Sequence, residues 1–162
     1  MNFPDIKKII IHCSDSAFGD KDLIESWHLR RGFKSIGYHF VITNGVLAHG
    51  NAYNPINDGL VQLGRSLTEQ GAHCQHHNAD SIGICLIGCR HFTAAQLLHT
   101  LPDLLASFMA LPNITGPECV FGHRDFNPAK TCPNIDTALL RFLAAAAQSA
   151  GRPTSSPERT YL

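Results

Sequence analysis

The sequence predicts an α/β fold: a single domain in which a mixed β-sheet has helices packed on its faces. Three observations carry this. Short β-branched runs alternate with segments of helical period, an Asn-Gly pair separates two strand-like stretches, and 162 residues are enough for one core but few for two.

Taken in order, residues 6–11 are rich in isoleucine and stop at His12-Cys13-Ser14-Asp15-Ser16, as a buried strand running into a functional loop does. Residues 22–31 put Leu23, Ile24 and Trp27 on one helical face, with Glu25 at capping-box spacing from Asp22 and Gly32 as the stop. Residues 37–43 and 46–49 flank Asn44-Gly45, a pair suited to the positive φ angles of a type I′ turn, which predicts a β-hairpin. Residues 50–71 hold Asn, Pro, Asp and Gly at short intervals without a sustained period and read as a long loop with one helical turn. Residues 81–88 are apolar at both alternating sets of positions, the pattern of a central strand covered on both sides. Thr93 and Gln96 cap a helix that keeps its period through Phe108, and Pro102 is expected to kink or split it near Leu101. Residues 118–121 form a further strand, and Asp136 opens a last helix that Gly151 and Pro153 end. The organisation expected is a catalytic domain over residues 1–151 and a disordered polar tail over residues 152–162.

Thirteen basic and thirteen acidic side chains cancel, so the excess of cations that phosphate neutralisation calls for is missing and nucleic acid is excluded as a main partner. No apolar run reaches the roughly 18–20 residues of a membrane-spanning helix, and Met1-Asn2-Phe3-Pro4-Asp5 lacks the basic start and apolar stretch of a signal peptide. The expectation is a monomer made in the cytoplasm without a signal peptide and without stable membrane association. The six cysteines form no CxxC pair, and in a reducing compartment they are expected to be free thiols.

Three segments place His or Cys where a strand meets a loop: Ile11-His12-Cys13-Ser14, Gly122-His123-Arg124-Asp125 and Lys130-Thr131-Cys132-Pro133. Imidazole and thiolate both suit a catalytic zinc ion with three protein ligands and one open position. Spacing alone leaves two readings open, such a metal site or hydrogen-bonded histidines with a buried thiol.

The motifs taken together go further. His12-Cys13-Ser14, Glu25-Ser26-Trp27-His28, Gly37-Tyr38-His39-Phe40, Gly71-Ala72-His73, Asn78-Ala79-Asp80-Ser81-Ile82-Gly83-Ile84, and Gly122-His123-Arg124 with Lys130-Thr131-Cys132-Pro133 follow one another as in one family. The chain resembles the type 2 N-acetylmuramoyl-L-alanine amidases, the zinc amidases that include phage endolysins and the peptidoglycan-recognition proteins. The resemblance runs from about Ile9 to Asp136. It implies that His12, His123 and Cys132 bind Zn²⁺, that Tyr38 and Lys130 assist catalysis, and that His73 lines the substrate groove. The reaction implied is hydrolysis of the amide between the lactyl group of N-acetylmuramic acid and L-alanine of the stem peptide. Two positions depart from the family pattern: His76 stands where many relatives have Gly, and Ile135 where Phe is common.

Those residue types suit the chemistry. An amide is a poor electrophile and neutral water a poor nucleophile, and a zinc ion improves both. With one thiolate among the ligands the ion is less electrophilic, so an ammonium from Lys130 and a hydroxyl from Tyr38 are useful beside the developing oxyanion. The partner expected is peptidoglycan or muropeptides, and the setting a phage or prophage endolysin that reaches the wall after release. Competing readings are a cytosolic muropeptide-recycling amidase, a non-catalytic peptidoglycan-binding module, and a thiol hydrolase using Cys132 and His123. Alternation along the strand puts His39 on the face opposite Tyr38, as a packing residue, while His28 is read as surface or structural.

Overall fold

Isoleucines at alternate and consecutive positions make β1 (Lys8–Cys13) apolar on both faces, and it lies between two parallel neighbours, β4 (Ser81–Leu86) and β5 (Val120–Gly122). A computed structural model describes residues 5–150, so the expected tail lies outside the described residues. β2 (Phe40–Asn44) pairs parallel with β4, and β3 (Asp58–Leu63) pairs antiparallel with β2. The sheet order is β3-β2-β4-β1-β5, mixed as the sequence predicts.

Side-chain alternation sorts the core into two layers. Ile9, Ile11, Phe40, Ile42, Ile82 and Ile84 pack against Leu104 and Phe108 of α2 (Leu101–Phe108) and Leu140 of α3 (Thr137–Ser149). Val41, Cys85 and Ile87 face the other way, toward Ile24 and Trp27 of α1 (Lys21–Arg30). A strand with helices on both sides buries both faces, which is why β4 shows no polar alternation.

Pro102 acts at the position the sequence marks. A π-helical segment, Ala95–Thr100, runs into α2 at Leu101, whose N–H reaches back to the Gln96 carbonyl. Thr93 Oγ1 accepts from Gln96 N at 3.1 Å and Gln96 Oε1 accepts from Thr93 N at 3.0 Å, the reciprocal cap expected. Gln96 then donates to the carbonyls of Ile42 (3.0 Å) and Ile87 (2.9 Å), joining the helix start to the ends of β2 and β4.

Three expectations need correction. The cap of α1 is Asp20, whose carboxylate accepts from Leu23 N at 2.8 Å, two residues ahead of Asp22. Asn44-Gly45 does turn the chain, with Gly45 at φ 85°, but residues 46–49 form no strand. Asn44 spends its side chain on Val46 N and Ala17 O, and Gly19 N bonds to Val46 O, so this stretch is held by the loop before α1 and cannot fold back on β2. The partner of β2 is instead β3, inside the stretch read as a loop. Its pattern is hidden by Gly59 at φ 73° and by a shift of register between Ile42 and Asn44, a bulge that breaks the period of two.

Candidate metal centre and catalytic cleft

Four parallel strands end on the same side of the sheet, and in open α/β sheets the carboxyl ends of the strands are where ligands bind. His12 is the penultimate residue of β1, in register with Cys85, fully buried on the α1 face. His123 follows β5 directly, in a one-turn helix secured by the Asp125 carboxylate, which accepts from Gly122 N (2.8 Å) and Thr137 Oγ1 (2.7 Å). The loop bearing Cys132 is tied to that turn by Arg124 N to Cys132 O (2.9 Å) and to the end of β4 by Asn134 Nδ2 to Cys89 O (2.8 Å).

His12, His123 and Cys132 thus converge from opposite ends of the chain, with one ligand atom of each within 4.8 Å of the others. Cys132 Sγ lies 3.9 Å from His12 Nδ1 and accepts a hydrogen bond from Cys13 N at 3.2 Å. Two imidazole nitrogens and one sulfur are a donor set that suits zinc, and the spacing leaves room for an ion among them. Burial holds His12 well below the usual histidine range, with His73, His123 and His28 adding to it, and burial together with the Lys130 charge lowers His123. Both rings are therefore neutral near pH 7, the form that ligates. The Cys13 and Cys132 thiols are hydrogen-bonded to each other, which lowers the first and raises the second, so the pair takes one negative charge before two. All six cysteines are free thiols.

A cleft of about 420 Å³ opens over the three residues, lined among others by His28, Arg31, Tyr38 and Lys130, and a second of about 440 Å³ continues it past His76 and Phe126. Phe33, Ala72, His73, His123 and Lys130 line both, so they form one groove. The Tyr38 ring lies 5.0 Å from that of His12, and burial keeps its hydroxyl well above the usual tyrosine range, hence protonated. Lys130 is exposed on the rim. His73 lines the groove but is only 9% exposed, its Nδ1 3.0 Å from His12 Nε2.

Some neighbours of the site are not where the sequence reading put them. Tyr38 and His39 precede β2, which starts at Phe40, so strand alternation does not govern them. Tyr38 packs with Val41 and Cys85 on the α1 face, and the His39 ring also lies on the site side, 5.7 Å from that of His73. His39 is structural as expected: Gly83 N donates to its Nδ1 (3.0 Å), and its Nε2 donates to Glu69 O (3.1 Å). His28, read as surface or structural, is buried in the cleft wall. It accepts from Gly37 N at 2.9 Å, stacks on Phe33 at 4.9 Å and leans on Tyr38 at 5.3 Å. Its place in the run Glu25-Ser26-Trp27-His28 was the available signal. His76 adopts φ 68°, a left-handed conformation that glycine enters more readily than any other residue.

An α/β domain with a His-His-Cys group at the carboxyl ends of its parallel strands, opening on a long groove, is an architecture suited to a hydrolase. The family model described as N-acetylmuramoyl-L-alanine amidase matches residues 2–135, and the chain belongs to that family. It is an N-acetylmuramoyl-L-alanine amidase of the phage endolysin type. The endolysin of Enterobacteria phage T3 is 31% identical over 140 residues, covering 79% of this chain and 80% of that protein. The amidase LysC from Clostridium intestinale shares the fold, with a TM-score of 0.68 at 24% identity over 85% of this chain and 84% of its own. A Drosophila PGRP-LB variant in complex with tracheal cytotoxin superposes with a TM-score of 0.61 at 25% identity over 80% of this chain and 76% of that one. Among the described residues, no helix is long and apolar enough to cross a membrane.

Proposed function

We propose that this amidase is zinc-dependent, takes muropeptide units of peptidoglycan into the groove, and acts as a monomer on the cell wall once released from the cell that makes it. The observation that carries the reading is the convergence of His12, His123 and Cys132 within 4.8 Å beneath that groove. These three residues hold the ion, which when bound supplies an activated water and a Lewis acid.

The remaining work falls to the chain. Tyr38, protonated and beside His12, donates a hydrogen bond to the carbonyl oxygen as it gains charge. Lys130, shared by both parts of the groove, brings an ammonium to the same oxygen. The amine of L-alanine leaves as a neutral group, and Tyr38 is placed to relay the proton it takes up. His73 contributes to the groove wall through its carbon edge, since both ring nitrogens have partners inside the protein.

The test is digestion of purified sacculi with and without a chelator, the new ends being identified by mass spectrometry. A freed lactyl carboxylate and a new amino-terminal L-alanine, lost on chelation and restored by zinc, are expected. Elemental analysis should find one zinc per chain, and almost none in His12→Ala. Activity confined to small soluble muropeptides would overturn the lytic role, and a metal-free protein with full activity the zinc role.

A further inference from the structure

His12 has one nitrogen on each side of the site wall. Nδ1 faces Cys132 Sγ at 3.9 Å, and Nε2 faces His73 Nδ1 at 3.0 Å. An imidazole that ligates through Nδ1 keeps its proton on Nε2, so the bond between the two rings runs from His12 to His73. His73 Nδ1 is then an acceptor, and the proton of His73 sits on Nε2, 3.4 Å from Ser81 Oγ. Ser81 accepts there and passes its own proton to the carbonyl of His77 at 2.6 Å. Only one direction satisfies all three contacts, because the chain ends on a carbonyl, which cannot donate.

We propose that His73 and Ser81 are positioning residues for the metal centre: the chain from His12 through His73 and Ser81 to the His77 carbonyl fixes the tautomer and ring angle of His12, leaving its Nδ1 bare and aimed at the ion. This rests on the zinc reading above and deepens it. The surroundings are built for it. A Cβ on Gly83 would lie 2.5 Å from Cγ and Cδ2 of His73, so the ring occupies space on β4 that only a glycine leaves. The backbone around His73 is pinned as well, His73 N and Cys74 N both donating to Asn78 Oδ1 at 2.8 Å. Ser81 is 1% exposed, and no buried side-chain nitrogen or oxygen among the described residues lacks a partner.

Competition against a chromophoric chelator gives the zinc dissociation constant of the intact protein, with urea unfolding as a check on folding. His73→Leu is expected to weaken zinc binding by about 10–100-fold, the usual cost of losing the hydrogen-bond partner of a metal ligand. His73→Asn should recover most of that loss, because its amide oxygen can stand where Nδ1 stood, and Ser81→Ala should fall at the lower, roughly tenfold end of the range. A folded His73→Leu that binds zinc like the wild type overturns the inference, and so does a His73→Asn as weak as His73→Leu. If His73→Leu does not fold, Ser81→Ala decides, and an unchanged affinity there overturns it. A wild type that binds no zinc defeats the zinc reading itself, a different result from a wild type and variants that bind it equally.

Discussion

Tyr38 and Lys130 touch the groove without belonging to the trio that gathers around the metal position, and this separates what each residue can do from what His12 does. The donor set that suits zinc is complete without them, two imidazoles and a thiolate, so each should matter to the rate more than to metal content. Tyr38→Phe removes one hydroxyl and little packing, while Lys130→Ala removes an exposed charge. Each is expected to retain zinc and to lower kcat by about 10²–10³, the usual effect of deleting one donor to a developing oxyanion. KM for a soluble muropeptide should change little, because the contact strengthens only as charge develops. Lys130→Arg keeps the charge but alters length and donor geometry, and should recover only part of the rate. Steady-state kinetics alongside zinc analysis checks all three. Wild-type rates in Tyr38→Phe and Lys130→Ala would make both residues scaffold.

At the scale of elements, Gln96 does more than its place in a capping motif suggests. Fully buried, it joins the start of the π-helical segment to β2 and β4 through the carbonyls of Ile42 and Ile87. Gln96→Met keeps the volume and removes the donors. Ile42 O still receives the N–H of Ile87, but Ile87 O loses its Gln96 donor, so a loss of about 1–3 kcal/mol is expected. It should appear as a lower urea midpoint at unchanged slope. The capping of this helix and its break at Pro102 were legible because both act within a few residues. β3 was not, since Gly59 and the shift of register erase the period of two by which a strand is recognised. The hairpin failed for a related reason: the local preference of Asn44-Gly45 was met, while tertiary bonds to Ala17 and Gly19 decided where the chain went next. The same division runs through the site. The ends of β1 and β5 stood out as candidate ligand positions through the family motifs, the strand-to-loop junctions alone leaving a metal site and hydrogen-bonded histidines both open. The bond from His12 to His73 spans 61 residues, and no spacing rule encodes it.

The molecule as a whole keeps several histidines neutral in its interior, and this makes its stability depend on pH in a definite direction. Burial is the leading cause for each: His28 is lowered to about 4, His73 to about 3, and His39 is lowered as well. The unfolded chain titrates these groups near pH 6.5, so below that value it binds protons that the native state refuses. Their contribution is fully present above about pH 6.5 and is lost as pH falls toward the native values. Each fully shifted histidine adds a slope of up to about 1.4 kcal/mol per pH unit. Between about pH 6.5 and 5 the carboxylates are still ionised, so the histidines dominate that window. His28 is the group on which to test this, because it is not one of the three candidate ligands and its Nδ1 accepts from Gly37 N at 2.9 Å. Asparagine at this position can offer an amide oxygen to the same N–H but cannot take up a proton. Urea unfolding of the wild type at a series of pH values should show stability falling steadily across the window. His28→Asn, whatever its stability at neutral pH, should fall less steeply by up to one proton's worth of slope. Parallel curves would mean that His28 charges in the native state as readily as in the unfolded chain, and that its hydrogen bond to Gly37 N does not hold it neutral.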